Sequence, residues 1–289
     1  MSSSVTIGDA LKQAVGTLAP CSESARSDAE VLLAAVTGKP RHEPYGFPER
    51  HLASPDAERY RCWIERRCAG EPVAYLLGQR EFWSLCLRTT PDVLIPRPET
   101  ELLVQTALNL LAHTQQPRVA DLGTGSGAIA LALANERPDL RVTAVEVCGA
   151  ALDVARDNAA ALDLRNVEFL QGNWCEPLQG LEGFEMLISN PPYVASNDPH
   201  LAQGDLRFEP SLALDGGPDG LAAYRQILGR AHRVLRPGAI MLFEHGYDQG
   251  VQVPALLREH GYTDVSSAKD YAGQPRLCFG RWPGTAENC

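Results

Sequence analysis

Apolar positions Ile7, Leu11, Ala14, Val15 and Leu18 recur at three- and four-residue spacing and predict an amphipathic helix near the start of the chain. A second helix is expected after a serine cap at Ser22 or Ser24. It carries Ala29, Leu32, Leu33 and Val36 inward and stops at Gly38. Pro40, Pro44 and Pro48 make the next stretch irregular. Ser54-Pro55-Asp56 then sets a hydroxyl cap, a proline at the first helical position and an acid in the first turn. That helix should run to about Ala69, where Gly70-Glu71-Pro72 stops it. The interior of these helices reads as plain core, without chemistry.

Between Tyr75 and Glu101 the period changes. Residues 81–87 read as extended, Val93 to Glu101 follow, and the two are read as a hairpin joining two domains. The Pro96–Glu101 run starts a helix through Leu102, Leu103, Thr106 and Leu110. From Arg118 the chain alternates: strands at 118–122, 141–147, 167–171, 184–189 and 239–245, with helices at 127–136, 149–163 and 219–235. Pro254 starts or kinks a further helix that ends near Gly261, and extended segments near 262–268 and 275–282 finish the sheet. Such alternation predicts an α/β fold with a mostly parallel sheet covered on both faces. The expected division is a helical domain at 1–74, a hairpin linker at 75–100 and the sheet domain at 101–289.

Composition narrows the classes. The 289 residues are 44% hydrophobic and 21% charged, which suits a globular chain rather than a disordered one. No run approaches the roughly 18 apolar residues of a membrane span. The first residues have neither the basic region nor the apolar core of a signal peptide. Eight cysteines are scattered without a Cys-x-x-Cys pair, which argues against a zinc site and a dense disulfide framework. Reduced thiols and a cytoplasmic location are therefore expected. Seven histidines are equally dispersed, and no metal site is expected; Glu244-His245 reads as a strand end. The net charge is −10: up to residue 88 there are 11 basic and 11 acidic residues, and the remainder holds 15 against 25. That balance disfavours a nucleic-acid substrate, which calls for a basic face.

Two motifs carry candidate chemistry. Gly123-Thr124-Gly125-Ser126-Gly127 stands between the first strand of the sheet domain and a helix. Its spacing is shorter than the Gly-x-Gly-x-x-Gly that cradles a pyrophosphate, and suits a ligand without phosphate, such as the methionine part of S-adenosylmethionine. A plain tight turn is the competing reading. Glu146 ends the second strand, where an acid can accept both hydroxyls of a ribose. Asn173 and Trp174 follow the third strand and could hold and stack an adenine, although Trp174 reads equally well as core. Asn190-Pro191-Pro192-Tyr193 follows the fourth. Asn190 offers a side-chain carbonyl, Pro191 a backbone carbonyl followed by a residue with no N–H, and Tyr193 an aromatic face. Residues before proline are held extended, so these acceptors are stiff. Ligands of open α/β sheets bind beyond the carboxyl ends of the strands, and all four groups fall on that rim.

With Ile95–Glu101, Arg207-Phe-Glu-Pro210, Glu244-His-Gly246 and Gly70-Glu-Pro-Val-Ala-Tyr75 added, the chain resembles, nearly end to end, the release-factor glutamine methyltransferases (the PrmC/HemK family). The resemblance implies a Rossmann-like S-adenosylmethionine-dependent methyltransferase sheet with a small helical N-terminal domain that helps recognise the substrate. The substrate implied is the glutamine of the Gly-Gly-Gln motif in class I peptide chain release factors, methylated on its side-chain amide nitrogen. Gly123, Thr124, Gly125, Ser126, Gly127, Glu146, Asn173, Trp174 and Asn190 would contact the cofactor. Asn190, Pro191, Pro192, Tyr193, Glu99 and Thr100 would hold the glutamine, with Asn190, Pro191 and Tyr193 catalytic. Aspartate is the expected residue where this chain has Glu146 and Asn173. Glu146 keeps two acceptor oxygens on a longer arm; Asn173 keeps one acceptor and loses a charge. The rivals are an amino methyltransferase of nucleic acids, which shares Asn-Pro-Pro-Tyr, and a non-catalytic binding module that kept the fold.

Overall fold

The computed structural model describes residues 5–181 and 183–284; Cys289 lies outside them. The chain divides into two compact units, residues 1–79 with 203–208, and residues 80–202 with 209–289.

In the first unit, α1 (Ile7–Leu18), α2 (Ala25–Thr37) and α4 (Ser54–Cys68) are joined by the short α3 (Glu43–Gly46) and followed by α5 (Val73–Leu77). Their inward rows, including Leu11, Leu18, Leu32, Leu33, Tyr60 and Ile64, form one buried cluster. Thr6 caps α1 by accepting from Asp9 N at 3.1 Å. The serines before α2 do not cap it. Both hydroxyls donate to the Asp28 carboxylate at 2.8 Å, because Asp28 is drawn in by the buried Arg67, whose Nε donates to it at 2.8 Å. Arg67 Nη1 also reaches Asp205 at 2.8 Å, and Arg207 donates to the Ala69 carbonyl at 2.6 Å, which fastens 203–208 to this unit. Ser54 is the first helical residue of α4 rather than its cap, and Pro55 takes the early position that needs no N–H donor.

The thiol expectation is corrected here. Cys21 and Cys68 are joined in a disulfide across 47 residues, with Cα atoms 5.5 Å apart. Spacing gave no sign of it, because the pairing is made where α1 and α4 end together.

The hairpin is tighter than the sequence suggests. Strands β1 (Gln79–Phe82) and β2 (Leu85–Arg88) turn at Trp83 and Ser84, both at positive φ (52° and 59°). Two positive φ values make a mirror-image turn whose twist matches the strands, normally a glycine or asparagine position. No such residue marks it here. Residues 93–97 are irregular rather than a second hairpin arm.

In the second unit, α6 (Glu101–Leu110) leads to β3 (Arg118–Leu122), α7 (Ala128–Glu136), β4 (Arg141–Glu146), α8 (Gly149–Ala161), β5 (Val167–Gln171) and β6 (Phe184–Ser189). Then come α9 (Ala222–Ala231), β7 (Leu235–Glu244), α10 (Gln252–Glu259), β8 (Thr263–Lys269) and β9 (Pro275–Arg281). The seven strands lie in the order β5-β4-β3-β6-β7-β9-β8, parallel except for β9. Alternation sets the two faces. Val119, Val142, Ile188 and Leu242 pack with α6 and α7 residues such as Leu103 and Leu131. Ala120, Leu122, Leu187, Met241 and Phe243 pack with Tyr224 and Ile227 of α9 and Leu257 of α10. Period two along a strand covered on both sides produces this apolar continuity.

Closing a loop of this length by a disulfide removes roughly 4 kcal/mol of unfolded-chain entropy in the loop-closure account. Cys68→Ser is therefore expected to lower the stability of the first unit by about 2–4 kcal/mol. Denaturant unfolding followed by the helical circular-dichroism signal checks this, with the same loss expected on adding reductant to wild type.

Candidate active site

The sheet changes winding direction between β3 and β6: β4 and β5 extend one side from β3, β6 and β7 the other. Loops leaving the carboxyl ends of β3 and β6 diverge there and open a crevice. Register aligns the chemistry along it. Leu122 pairs with Val145, Asp121 with Ile188, and Ser189 with Phe243. Continuing each pairing brings Glu146, Gly123, Asn190 and Glu244 into one row across β4, β3, β6 and β7.

The glycine loop folds as a turn tied to its neighbours. Gly123 N and Thr124 N both donate to the Val145 carbonyl at 2.9 and 3.0 Å, and Gly127 N donates to the Thr124 carbonyl at 2.8 Å. Gly123 and Gly127 take φ of 75° and 85°, a region costly for side-chain-bearing residues. Space matters as well. A Cβ on Gly123 would stand 3.0 Å from the Trp174 ring, whereas nothing lies within 4 Å of one on Gly125. Ser126 is buried, and its carbonyl accepts from Asn158 Nδ2 at 2.9 Å.

Glu146 does more than the sequence suggests. Its Oε2 accepts from Gly125 N and its Oε1 from Cys148 N, both at 3.0 Å. The carboxylate therefore anchors the loop, with one lone-pair direction per oxygen left for a ligand. Trp174 sits at a φ of 49°, half-buried, with its indole N–H donating to Gln226 Oε1 at 3.1 Å. The ring thus lies against Gly123 and also packs on the core. Asn173 is exposed, and its carbonyl accepts from Glu176 N at 3.0 Å.

Beyond β6, Asn190 is half-buried and Pro191 buried. Asn190 Nδ2 donates to Thr100 Oγ1 at 3.1 Å. Pro192 lies against Gly216: a Cβ there would stand 2.7 Å from the Pro192 carbonyl. The backbone past the prolines is held by Gln249 Nε2 donating to the Tyr193 carbonyl at 3.1 Å and by Val194 N donating to the Leu214 carbonyl at 3.0 Å. Burial, then the nearby Glu244, pushes the Tyr193 hydroxyl up to about 12, so it stays neutral at ordinary pH. Thr100 is buried at the end of a 3₁₀ turn (Pro98–Thr100), and Glu99 beside it is exposed.

Two acids stand behind this arrangement without a role predicted for either. Glu209, from the Arg-Phe-Glu-Pro run, is buried; it accepts from Ile95 N at 3.1 Å and pairs with Arg97, which fixes the approach to the Pro98–Thr100 turn. Glu244 ends β7 at 1% exposure. The signal for both was a lone acid in an apolar or proline-rich setting, which by itself names no partner.

Comparison with known proteins decides the family. The PrmC N-terminal domain model matches residues 9–78 and the methyltransferase small domain model residues 98–205. The release factor glutamine methyltransferase of Vibrio cholerae is 47% identical over 280 residues, spanning 96% of this chain and 98% of that protein. Its Pseudomonas aeruginosa counterpart is 50% identical over 263 residues, spanning 91% and 95%. The chain belongs to the release factor glutamine methyltransferase family. A solved Thermus thermophilus 16S rRNA methyltransferase in complex with S-adenosylmethionine and guanosine shares the fold, with a TM-score of 0.53 at 20% identity over 70% of this chain and 49% of that one. The chain is thus a methyltransferase that uses S-adenosylmethionine.

The residues present fit that cofactor. Under the glycine loop, Asp121 is fully buried; its Oδ2 accepts from Thr124 Oγ1 at 2.6 Å, while Oδ1 has no partner among the described residues. A lone buried acceptor at a strand end suits a ligand that brings a donor. Burial pushes the Asp121 carboxyl up to about 7, opposed by the Thr124 hydroxyl and then the Ala130 backbone N–H, with Glu146 adding a smaller repulsion. Its folded value lies above the ordinary 3.8, so ionisation opposes folding. The cost is absent below pH 3.8, grows with pH and is complete above about 7. Without cofactor, Asp121→Asn should match wild type at the acid end and exceed it above neutrality by up to about 4 kcal/mol. Chemical unfolding across pH checks this; an advantage that shrank as pH rose would contradict the assignment.

Proposed function

We propose that this enzyme methylates the side-chain amide nitrogen of the glutamine in the Gly-Gly-Gln motif of class I peptide chain release factors, in the cytoplasm. The observation that carries the reading is the placement of Asn190: beside the glycine loop at the switch point, on a proline-stiffened backbone, with its amide nitrogen already engaged by Thr100. Gly123 to Gly127, Asp121, Glu146 and Trp174 would hold the cofactor, with Asn173 at the edge. When bound, S-adenosylmethionine supplies an electrophilic methyl group on a sulfonium sulfur.

An amide nitrogen is planar and its lone pair is delocalised, so the protein must orient it. The glutamine NH₂ donates one hydrogen to Asn190 Oδ1 and the other to the Pro191 carbonyl. Tyr193 lends its ring face, and Glu99 with Pro192 borders the entry. Orientation of this kind supplies several kcal/mol, about 7–11 in the most favourable intramolecular cases. On accepting the methyl group the glutamine nitrogen would gain positive charge, and the two fixed acceptors, Asn190 Oδ1 and the Pro191 carbonyl, would stabilise it there. The charged nitrogen then loses its proton to water, so no strong base is needed. A nitrogen already gripped by two acceptors also explains why a neutral tyrosine suffices beside it. The helical first unit is the candidate for recognising the body of the release factor.

Asn190→Ala is expected to lower kcat by roughly 10²–10³-fold and leave the cofactor Kd, measured by calorimetry, nearly unchanged. Mass analysis of the Gly-Gly-Gln peptide after incubation with cofactor, beside duplex DNA and RNA in parallel reactions, identifies the acceptor. Methyl transfer to nucleic acid with none to release factor would overturn the proposal.

A further inference from the structure

Glu244 is a buried acid that the reaction outlined above does not use. It follows Phe243, which pairs with Ser189, so Glu244 and Asn190 are neighbours one step beyond the parallel register and project to the same face of the sheet. Its Oε2 has no partner among the described residues. The neighbouring Thr100 hydroxyl and Asn190 amide both favour its charged form. A threonine hydroxyl has one hydrogen. Accepting from Asn190 Nδ2 at 3.1 Å, Thr100 keeps that hydrogen free for the neighbouring Glu244 carboxylate.

The consequence concerns an ambiguity inherent in asparagine. Its oxygen and nitrogen are nearly the same size, and only their partners decide which way each points. Thr100 Oγ1 already accepts from the nitrogen, and the Glu244 carboxylate stands beside it in the register, so two acceptors favour the nitrogen on this side and the carbonyl oxygen on the other. Resting on the function proposed above, we infer that Glu244 is a positioning residue: acting directly and through Thr100, it fixes the Asn190 side chain so that its carbonyl, not its NH₂, is presented to the substrate amide. A flipped Asn190 would offer a donor to a donor and hold no glutamine.

Glu244 titrates in a defined setting. Arg276 of β9 favours its charge, Glu99 of the 3₁₀ turn opposes it, and Tyr193 stands nearby. Tyr224 of α9 donates to its backbone carbonyl at 2.9 Å, and His245 follows in the chain. Burial, resisted first by Thr100 and then by Arg276, brings the carboxyl to about 7. Once protonated, it turns from an acceptor for the Asn190 nitrogen into a donor for the Asn190 oxygen, and the orientation is lost. Activity should therefore fall on the acid side of neutrality. Asp121 also titrates there, but under the glycine loop, so its effect belongs to cofactor affinity rather than to kcat at saturation.

The test uses the full chain. Glu244→Gln, which keeps size but offers both a donor and an acceptor, should lower kcat roughly 10²-fold and abolish the acid limb of the kcat profile, with cofactor Kd unchanged. Thr100→Val should behave alike in kcat, and Thr100→Ser, which restores the hydroxyl, should recover most of it. Independently of turnover, the side-chain NH₂ resonances of Asn190, assigned by their loss in Asn190→Ala, should shift with a midpoint near pH 7 in wild type and in Asp121→Asn, and should not titrate in Glu244→Gln. A wild-type kcat and intact acid limb in Glu244→Gln, or Asn190 resonances indifferent to Glu244, would overturn the inference. If wild type methylated no release factor, the function proposal would fail while the resonance experiment still decided this one.

Discussion

The parallel register between β3, β6 and β7 is the constraint on which the rest depends. A parallel sheet puts every carboxyl end on one edge, and a reversal of winding forces two neighbouring loops apart. Here the reversal falls between Leu122 and Ser189, so Gly123 and Asn190 start their loops side by side. Nothing about glycine or asparagine by itself produces a site. A slip of one residue in β6 would turn Asn190 to the other face of the sheet. The heavy burial of both faces holds the register, because Ile188 and Leu187 would exchange cores with any such slip.

Buried acids do the fine positioning. Glu146 binds two backbone N–H groups of the adjoining loops, and Glu209 binds Ile95 N and Arg97. In both, each carboxylate oxygen has a protein partner, and a paired or hydrogen-bonded buried charge is tolerable. Asp121 and Glu244 are different: each keeps one oxygen without a partner, and burial raises both. The second unit thus gives up stability at the two places where, in the proposed function, polarity points at a ligand or at the residue that would grip one. Sites are where such local costs are expected to persist.

Much of this was legible in the chain. Strands 118–122, 167–171 and 184–189 were predicted with the bounds observed, because β-branched and aliphatic runs ended by glycine, asparagine or proline leave little choice. The same pattern put the glycine loop, Glu146, Trp174 and Asn190 on one rim. The tight hairpin was not legible, since its turn uses Trp83 and Ser84 where glycine or asparagine would have announced it. Ser24 reads as a cap until Arg67, 43 residues away, pulls Asp28 inward and the serine hydroxyl turns to follow. The Cys21–Cys68 bond and the acids at 209 and 244 fail for the same reason. Each gains its meaning from a partner distant in sequence, which periodicity and local spacing do not report.

One choice at residue 190 still calls for a physical account. A carboxylate there would accept from an amide without any ambiguity of orientation, and would need neither Thr100 nor Glu244. It would also attract a bound sulfonium before reaction as strongly as the charged nitrogen afterwards. Interactions made equally in ground and transition states tighten binding without raising kcat. In the proposed role a neutral carbonyl escapes that: it would gain most where positive charge arrives, on the substrate nitrogen it would already grip. Its weakness is the freedom to flip. Placing the formal charge one residue further back, on Glu244, and transmitting only an orientation forward through Thr100 keeps the contact neutral and removes the freedom.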